Sequence, residues 1–143
     1  MKSIKMLSKE DIKIVKSTIP LLEKYGVKVT SRMYELLFQR YPETKFMFTK
    51  DNSEGLAKAL LAYARNVENL DRIKEALSKV ALSHVRAGVR PEHYAIVWEC
   101  LRDSIRENLT EDDKVIGAWE RAYWELANYL AKLETKIYDA LKG

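Results

Sequence analysis

Apolar residues recur along the chain at spacings of three and four, and alternating stretches are scarce, so the pattern predicts helices throughout. The first stripe is Ile12, Val15, Ile19 and Leu22; Ser8 precedes it, with Asp11 three residues on in the manner of a capping box. Pro20 lies inside the stripe and is expected to bend or shorten this helix, which Gly26 then stops. A second helix turns Val29, Met33, Leu36 and Leu37 inward and ends near Tyr41, because the residue before Pro42 disfavours helical geometry. Positions 42–48 read as a short helical turn rich in aromatics, and 49–54 as a polar loop. A third helix is expected from 56 to about 66, and a fourth over 70–87 closed by Gly88. Pro91 fits the first turn of a fifth, reaching about 109. Thr110 with Asp113 caps a sixth, which runs to the C-terminus and is interrupted only by Gly117.

This is an all-α pattern of six or so unequal helices, and 143 residues suit a single domain over 1–143. The chain is long enough to bury a core without disulfides or a structural metal. Hydrophobic residues make up 47% and charged residues 32%, which marks a globular rather than a disordered protein. No apolar run approaches the ~18 residues of a membrane span, and the basic start has no long apolar stretch behind it, so a cytoplasmic protein is expected. Cys100 is the only cysteine, which rules out an internal disulfide and a cysteine metal cluster within one chain. A net charge of +4 invites a nucleic-acid reading, but acids interleave the bases, as in Lys9-Glu10-Asp11, and a solvated face explains that better. Abundant Lys, Arg and Glu beside a single glutamine, Gln39, resembles proteins from hot environments.

Two histidines occur, and they are not equivalent. His84 shares a helical face with Leu77, Val80 and Ala81. An imidazole on an apolar stripe must satisfy two ring nitrogens. Either it is a core histidine bonded to a carbonyl, or one nitrogen ligates haem iron while the other donates a hydrogen bond. The second case needs an acceptor behind the ring, for which Glu134 and Tyr94 are candidates, and a flat apolar slot in front. His93, between Glu92 and Tyr94 at a helix start, is expected to face solvent and is given no role. Phe46 and Phe48 either cap the core or meet a flat hydrophobic partner. Tyr34 sits near Leu37 and Phe38 on an inward-facing helix, so its hydroxyl needs a backbone partner or a bound ligand.

The order and spacing of several stretches carry a resemblance. They are residues 33–38 (MYELLF), 62–70 (AYARNVENL), 84–89 (HVRAGV), 91–94 (PEHY), 118–123 (AWERAY) and 133–138 (LETKIY). Over nearly its whole length the chain resembles the single-domain bacterial haemoglobins and the globin domain of flavohaemoglobins. The resemblance implies a globin fold of about six to seven helices around one haem b (iron protoporphyrin IX). It implies His84 as the iron ligand, with Tyr94 and Glu134 hydrogen-bonded behind it and Tyr34 as a donor to bound dioxygen. It further implies Phe48 stacked on the porphyrin, Leu56, Val80, Val89 and Val97 in the pocket wall, and Asn52 where many relatives carry glutamine. The chain departs from the family in a shorter segment between Phe48 and Leu56, in Ser83 where relatives often have lysine, and in an extra Met1 to Lys5. It stops at Gly143 with no flavin or nicotinamide domain and no Gly-rich phosphate loop, so electrons are expected from a separate flavin reductase or a small reductant.

The leading functional expectation is reversible dioxygen binding, with nitric oxide dioxygenation as the chemistry. A dioxygen carrier without turnover is the second reading, and a haem-free helical sensor or interaction module the third. No nucleic acid or membrane partner is expected, and the sequence leaves monomer and homodimer open.

Overall fold

Ser8 and Asp11 make the capping box that their spacing suggests: the Ser8 hydroxyl accepts from the Asp11 amide at 3.0 Å, and the Asp11 carboxylate accepts from the Ser8 amide at 3.3 Å. They open α1, Lys9–Ser17, in a computed structural model that describes residues 7–48 and 52–142. After it come α2 (Ile19–Arg40), a 3-10 turn (Pro42–Phe46), α3 (Ser53–Arg65), a second 3-10 turn (Leu70–Ile73), α4 (Lys74–Ala87), α5 (His93–Asn108) and α6 (Asp113–Lys142). Among the described residues there is no strand, and no helix is long and apolar enough to cross a membrane.

The readings at Gly26 and Gly117 need correction, and that at Pro20 holds in one of its two forms. Pro20 shortens the first helix rather than bending it: α1 ends at Ser17, the break falls at Thr18, and Pro20 lies in the first turn of α2, where a missing amide hydrogen costs nothing. The Thr18 hydroxyl donates to the Val15 carbonyl at 2.6 Å and accepts from the Trp119 indole at 3.1 Å. Gly26 does not stop a helix. It is buried in the middle of the 22-residue α2, where α3 crosses closely enough that a Cβ on Gly26 would lie 3.5 Å from that of Ala57. Gly117 likewise leaves α6 unbroken. Its start is capped by Asp112, whose carboxylate accepts from the Lys114 amide at 2.9 Å, rather than by Thr110 with Asp113. The third helix begins at Ser53, three residues before Leu56. The expected fourth helix divides, its first turn being 3-10. Of the loop at 49–54, residues 49–51 lie outside the described residues, as does the Met1 to Lys5 extension.

Helix α2 packs across both α3 and α5, while α6 packs along α4 and α1. Small buried hydroxyls pin the α2 crossings: Thr30 donates to the Ser53 carbonyl at 2.7 Å and Ser104 to the Val29 carbonyl at 2.6 Å. Val15, Val29, Met33, Leu37, Tyr63, Leu101, Trp119 and Ala122 fill the space between. The two helix layers stay apart around α4, α5 and the Phe48 side of α2, which leaves a cavity there.

Arg121 of α6 clamps Asp11 through two nitrogens at 2.8 Å each, tying α1 to the last helix. Asp11 is only 5% exposed, and its hydrogen bonds from Arg121 hold its carboxyl below the usual 3.8. A depressed folded-state value stabilises the fold at pH above 3.8 and loses that contribution as pH falls through the folded value. Asp11→Asn is therefore expected to lower the thermal midpoint at neutral pH. The gap to wild type should narrow as pH falls below 3.8 and through the lower folded-state value; a gap that stays the same into strong acid would rule out the charged pair as its source.

Candidate functional site

His84 occupies the last turn of α4, held by the way that helix ends. Gly88 takes the left-handed conformation (φ 82°), and the amides of Gly88 and Val89 return to the carbonyls of Val85 and His84 at 3.1 and 2.9 Å. A side chain at position 88 would be strained in that geometry. The Tyr138 hydroxyl secures the turn from α6, donating to the Val89 carbonyl at 2.9 Å.

Behind the imidazole stands a three-membered polar group. His84 Nδ1 lies 2.8 Å from Glu134 Oε2 and 3.1 Å from the Tyr94 hydroxyl, and that hydroxyl donates to the same carboxylate oxygen at 2.7 Å. Tyr94 spends its one hydrogen on Glu134, and its burial together with that carboxylate pushes the phenol well above its ordinary value, so it stays a donor. A carboxylate facing Nδ1 requires the hydrogen there, which leaves the lone pair on Nε2. Nε2 makes no hydrogen bond among the described residues. The His84 side chain is 26% exposed while Glu134 is 3% exposed, so the open edge of the ring is the one turned away from the carboxylate. Tyr94 is itself fixed from below, because the Tyr123 hydroxyl donates to its backbone carbonyl at 2.6 Å. Glu134 Oε1 is buried without a hydrogen-bond partner, an electrostatic cost concentrated on this group.

In front lies an apolar cavity, about 930 Å³ of empty space when its open mouth is included. Its walls hold His84 with Leu77, Val80 and Val89 from the α4 side, Tyr94, Val97 and Leu101 from α5, and Tyr34, Phe48 and Leu56 opposite. Tyr34 is 6% exposed, with its ring 5.9 Å edge-on from Phe48 and 5.8 Å from Phe38. The structure thus brings together Tyr34, Phe48, Leu56, Val80, His84, Val89, Tyr94 and Val97 around one space, with Glu134 directly behind His84.

Asn52 is the exception and corrects the sequence expectation. It is exposed at the start of α3, its amide folded over Gly55, and it is not part of the cavity wall. Phe46 is 86% exposed and also outside the wall. His93, expected in solvent, lies in the wall and is half-buried. Sequence reading also missed Tyr123, Leu126, Ala127 and Leu130 of α6. The signal was present, since these positions form one stripe with Glu134 at three- and four-residue spacing.

The residue types suit a flat apolar group carrying a metal better than a bare ion. Among the described residues no cluster of three or more His, Cys, Asp or Glu could hold a metal ion. A lone imidazole with a fixed Nε2 lone pair offers one ligand, so the remaining ligands must come with the group itself. An apolar slot beside that nitrogen is the shape such a group needs.

The globin family model matches residues 31–130, and the chain belongs to the globin family. It is 47% identical over 137 residues to a globin-like protein of Aquifex aeolicus, covering 94% of this chain and 99% of that one. It is 37% identical over 140 residues to a flavohaemoprotein of Bacillus thuringiensis subsp. konkukian, covering 94% of this chain but 35% of that protein. The chain thus spans about a third of the flavohaemoproteins it matches. Among solved structures it is similar to an engineered carbene transferase derived from a candidate nitric oxide dioxygenase of Rhodothermus marinus. That likeness has a TM-score of 0.93 at 41% identity, covering 96% of this chain and 99% of the other.

Proposed function

We propose that this globin binds haem b with His84 Nε2 as the iron ligand, takes up dioxygen reversibly, and carries out nitric oxide dioxygenation using electrons from a separate flavin reductase. The observation that carries this reading is the His84–Glu134–Tyr94 group behind an apolar slot. When bound, haem supplies the iron at which dioxygen is held and nitric oxide is oxidised to nitrate. The chain does the rest. Glu134 and Tyr94 hold the imidazole in one tautomer and orientation, and the carboxylate makes Nε2 a stronger electron donor. Val80, Val89, Val97 and Leu56 exclude water from the slot, and Phe48 offers a flat face to the group within it. Tyr34, which also lines the cavity, is the residue we assign as donor to a negatively polarised diatomic ligand. A carboxylate spent on the proximal imidazole favours redox turnover over passive storage. The names of the flavohaemoproteins and of the Rhodothermus marinus protein point the same way.

The strength of the proximal carboxylate is measurable. Glu134→Gln keeps the shape but replaces a charge-assisted bond by a neutral one, a difference of about 1 kcal/mol. A less electron-rich imidazole stabilises ferric iron less, so the reduction potential of the haem-loaded protein should rise by roughly 50 mV. Spectroelectrochemical titration measures this, and an unchanged potential would deny Glu134 its role.

The proposal as a whole is tested by the absorption spectrum of the purified protein after haem addition, reduced under argon and then exposed to air. A ferrous spectrum converting to a stable oxy spectrum is expected. Absence of haem uptake would overturn the reading and leave a helical interaction module.

A further inference from the structure

His93 opens α5 with its ring pinned. The backbone amide of Arg90 donates to His93 Nδ1 at 2.8 Å, while the His93 amide donates to the Arg90 carbonyl at 3.0 Å. A backbone amide can only donate, so Nδ1 is the acceptor and the neutral ring carries its hydrogen on Nε2. Pro91 lies between the two partners and stiffens the turn that joins them. The result is an N–H donor whose orientation is already fixed before anything binds.

That donor lies in the cavity wall, half-buried at the boundary between apolar interior and solvent. Three other polar side chains of the wall are committed to one another or to the backbone. Tyr94 donates to Glu134, Tyr123 donates to the Tyr94 carbonyl, and His84 Nδ1 faces Glu134. His93 Nε2 has no hydrogen-bond partner among the described residues. A fixed donor of this kind suits an acceptor on the bound group.

Haem b carries two carboxylates on one edge, and an apolar cavity forces that edge to its mouth, because a buried unpaired carboxylate costs too much. Resting on the haem reading above, we infer that His93 Nε2–H binds a haem carboxylate and thereby fixes how the group is turned within the slot. Nothing in the opening stretch of α5 is anionic enough to compete except Glu92, which is exposed one residue earlier. The nearby Arg90 guanidinium is drawn aside over the Tyr138 ring, 4.6 Å from its centroid, so His93 rather than Arg90 is the neutral, directional contact.

The test compares haem-loaded wild type, His93→Leu and His93→Gln by the rate at which each surrenders haem to excess apomyoglobin. His93→Leu should lose haem about ten-fold faster, while His93→Gln, which keeps an N–H, should stay near wild type. The Soret band should be unchanged in both, since His84 still ligates. Repeating the transfer with iron protoporphyrin dimethyl ester, whose carboxylates are blocked, should erase the difference between wild type and His93→Leu. Equal haem-loss rates, or a difference that survives esterification, would overturn the assignment and leave packing as the ring's only part. A ferric spectrum that loses a sixth ligand in His93→Leu would make His93 an axial ligand and overturn it as well. A wild-type chain that takes up no haem would instead sink the haem reading on which this rests.

Discussion

Replacing His84 by alanine is expected to remove the ferrous and oxy spectra of the reconstituted protein almost completely. The reason lies in the ligand count. On the proposed reading the His84 imidazole is the ligand the chain supplies to the iron, and among the described residues no group of three or more His, Cys, Asp or Glu offers another site for a metal ion. His93 cannot substitute without surrendering the Arg90 amide and the turn it holds. The substitution has a second consequence, because Glu134, 2% exposed, loses the donor at 2.8 Å and keeps only Tyr94. A buried carboxylate deprived of a donor costs about 1–3 kcal/mol, so a lower thermal midpoint should accompany the lost spectrum. Ligation and stability are separated by adding imidazole. The vacated space beside Glu134 has the shape of the missing ring, and free imidazole should restore a histidine-type ferrous spectrum in His84→Ala. A variant that still forms a stable oxy complex without imidazole would show that the iron is held elsewhere.

The residues that carry this site differ in how plainly the sequence announces them. His84 is legible because an imidazole on the stripe of Leu77, Val80 and Ala81 demands a partner, and Gly88 shows where that helix must end. The six-helix pattern is equally legible, since its apolar spacing is carried by long runs with few interruptions. Gly26 misleads. Its chemistry permits a helix stop, but the residue is buried inside α2 against α3, where a Cβ would make ordinary contact with Ala57 at 3.5 Å, and packing of the long helix is a tertiary fact that local propensity does not contain. Gly117 misleads in the same way within α6, where packing on α1 and α4 outweighs one residue's propensity. His93 is hidden for a different reason. It lines the cavity together with Val89 after the helix end at Gly88, a tertiary placement that its polar neighbours on either side disguise as a surface position. Asn52 could not be placed from a gapped correspondence alone, and the structure puts it on the rim of α3 rather than in the wall.

Tyr34→Phe is expected to accelerate dioxygen release by about 10- to 100-fold, the loss of one charge-assisted hydrogen bond of about 1.5–3 kcal/mol. Phenylalanine retains the ring contacts with Phe38 and Phe48 at 5.8 and 5.9 Å, so the wall should keep its shape. In a water-excluding slot a hydroxyl donor gains strength, because the low local dielectric leaves the negative end of a polarised ligand without competing solvent. Stopped-flow displacement of dioxygen by carbon monoxide reads the release rate directly. Carbon monoxide itself is far less polarised, so its own release should change several-fold less than that of dioxygen. This contrast distinguishes a lost hydrogen bond from a loosened pocket, which would speed both ligands alike. Nitric oxide consumption in the presence of a flavin reductase should fall with the same substitution, since a shorter-lived dioxygen complex meets nitric oxide less often. If both release rates are unchanged, the Tyr34 hydroxyl is directed elsewhere and the wall opposite His84 contributes shape alone.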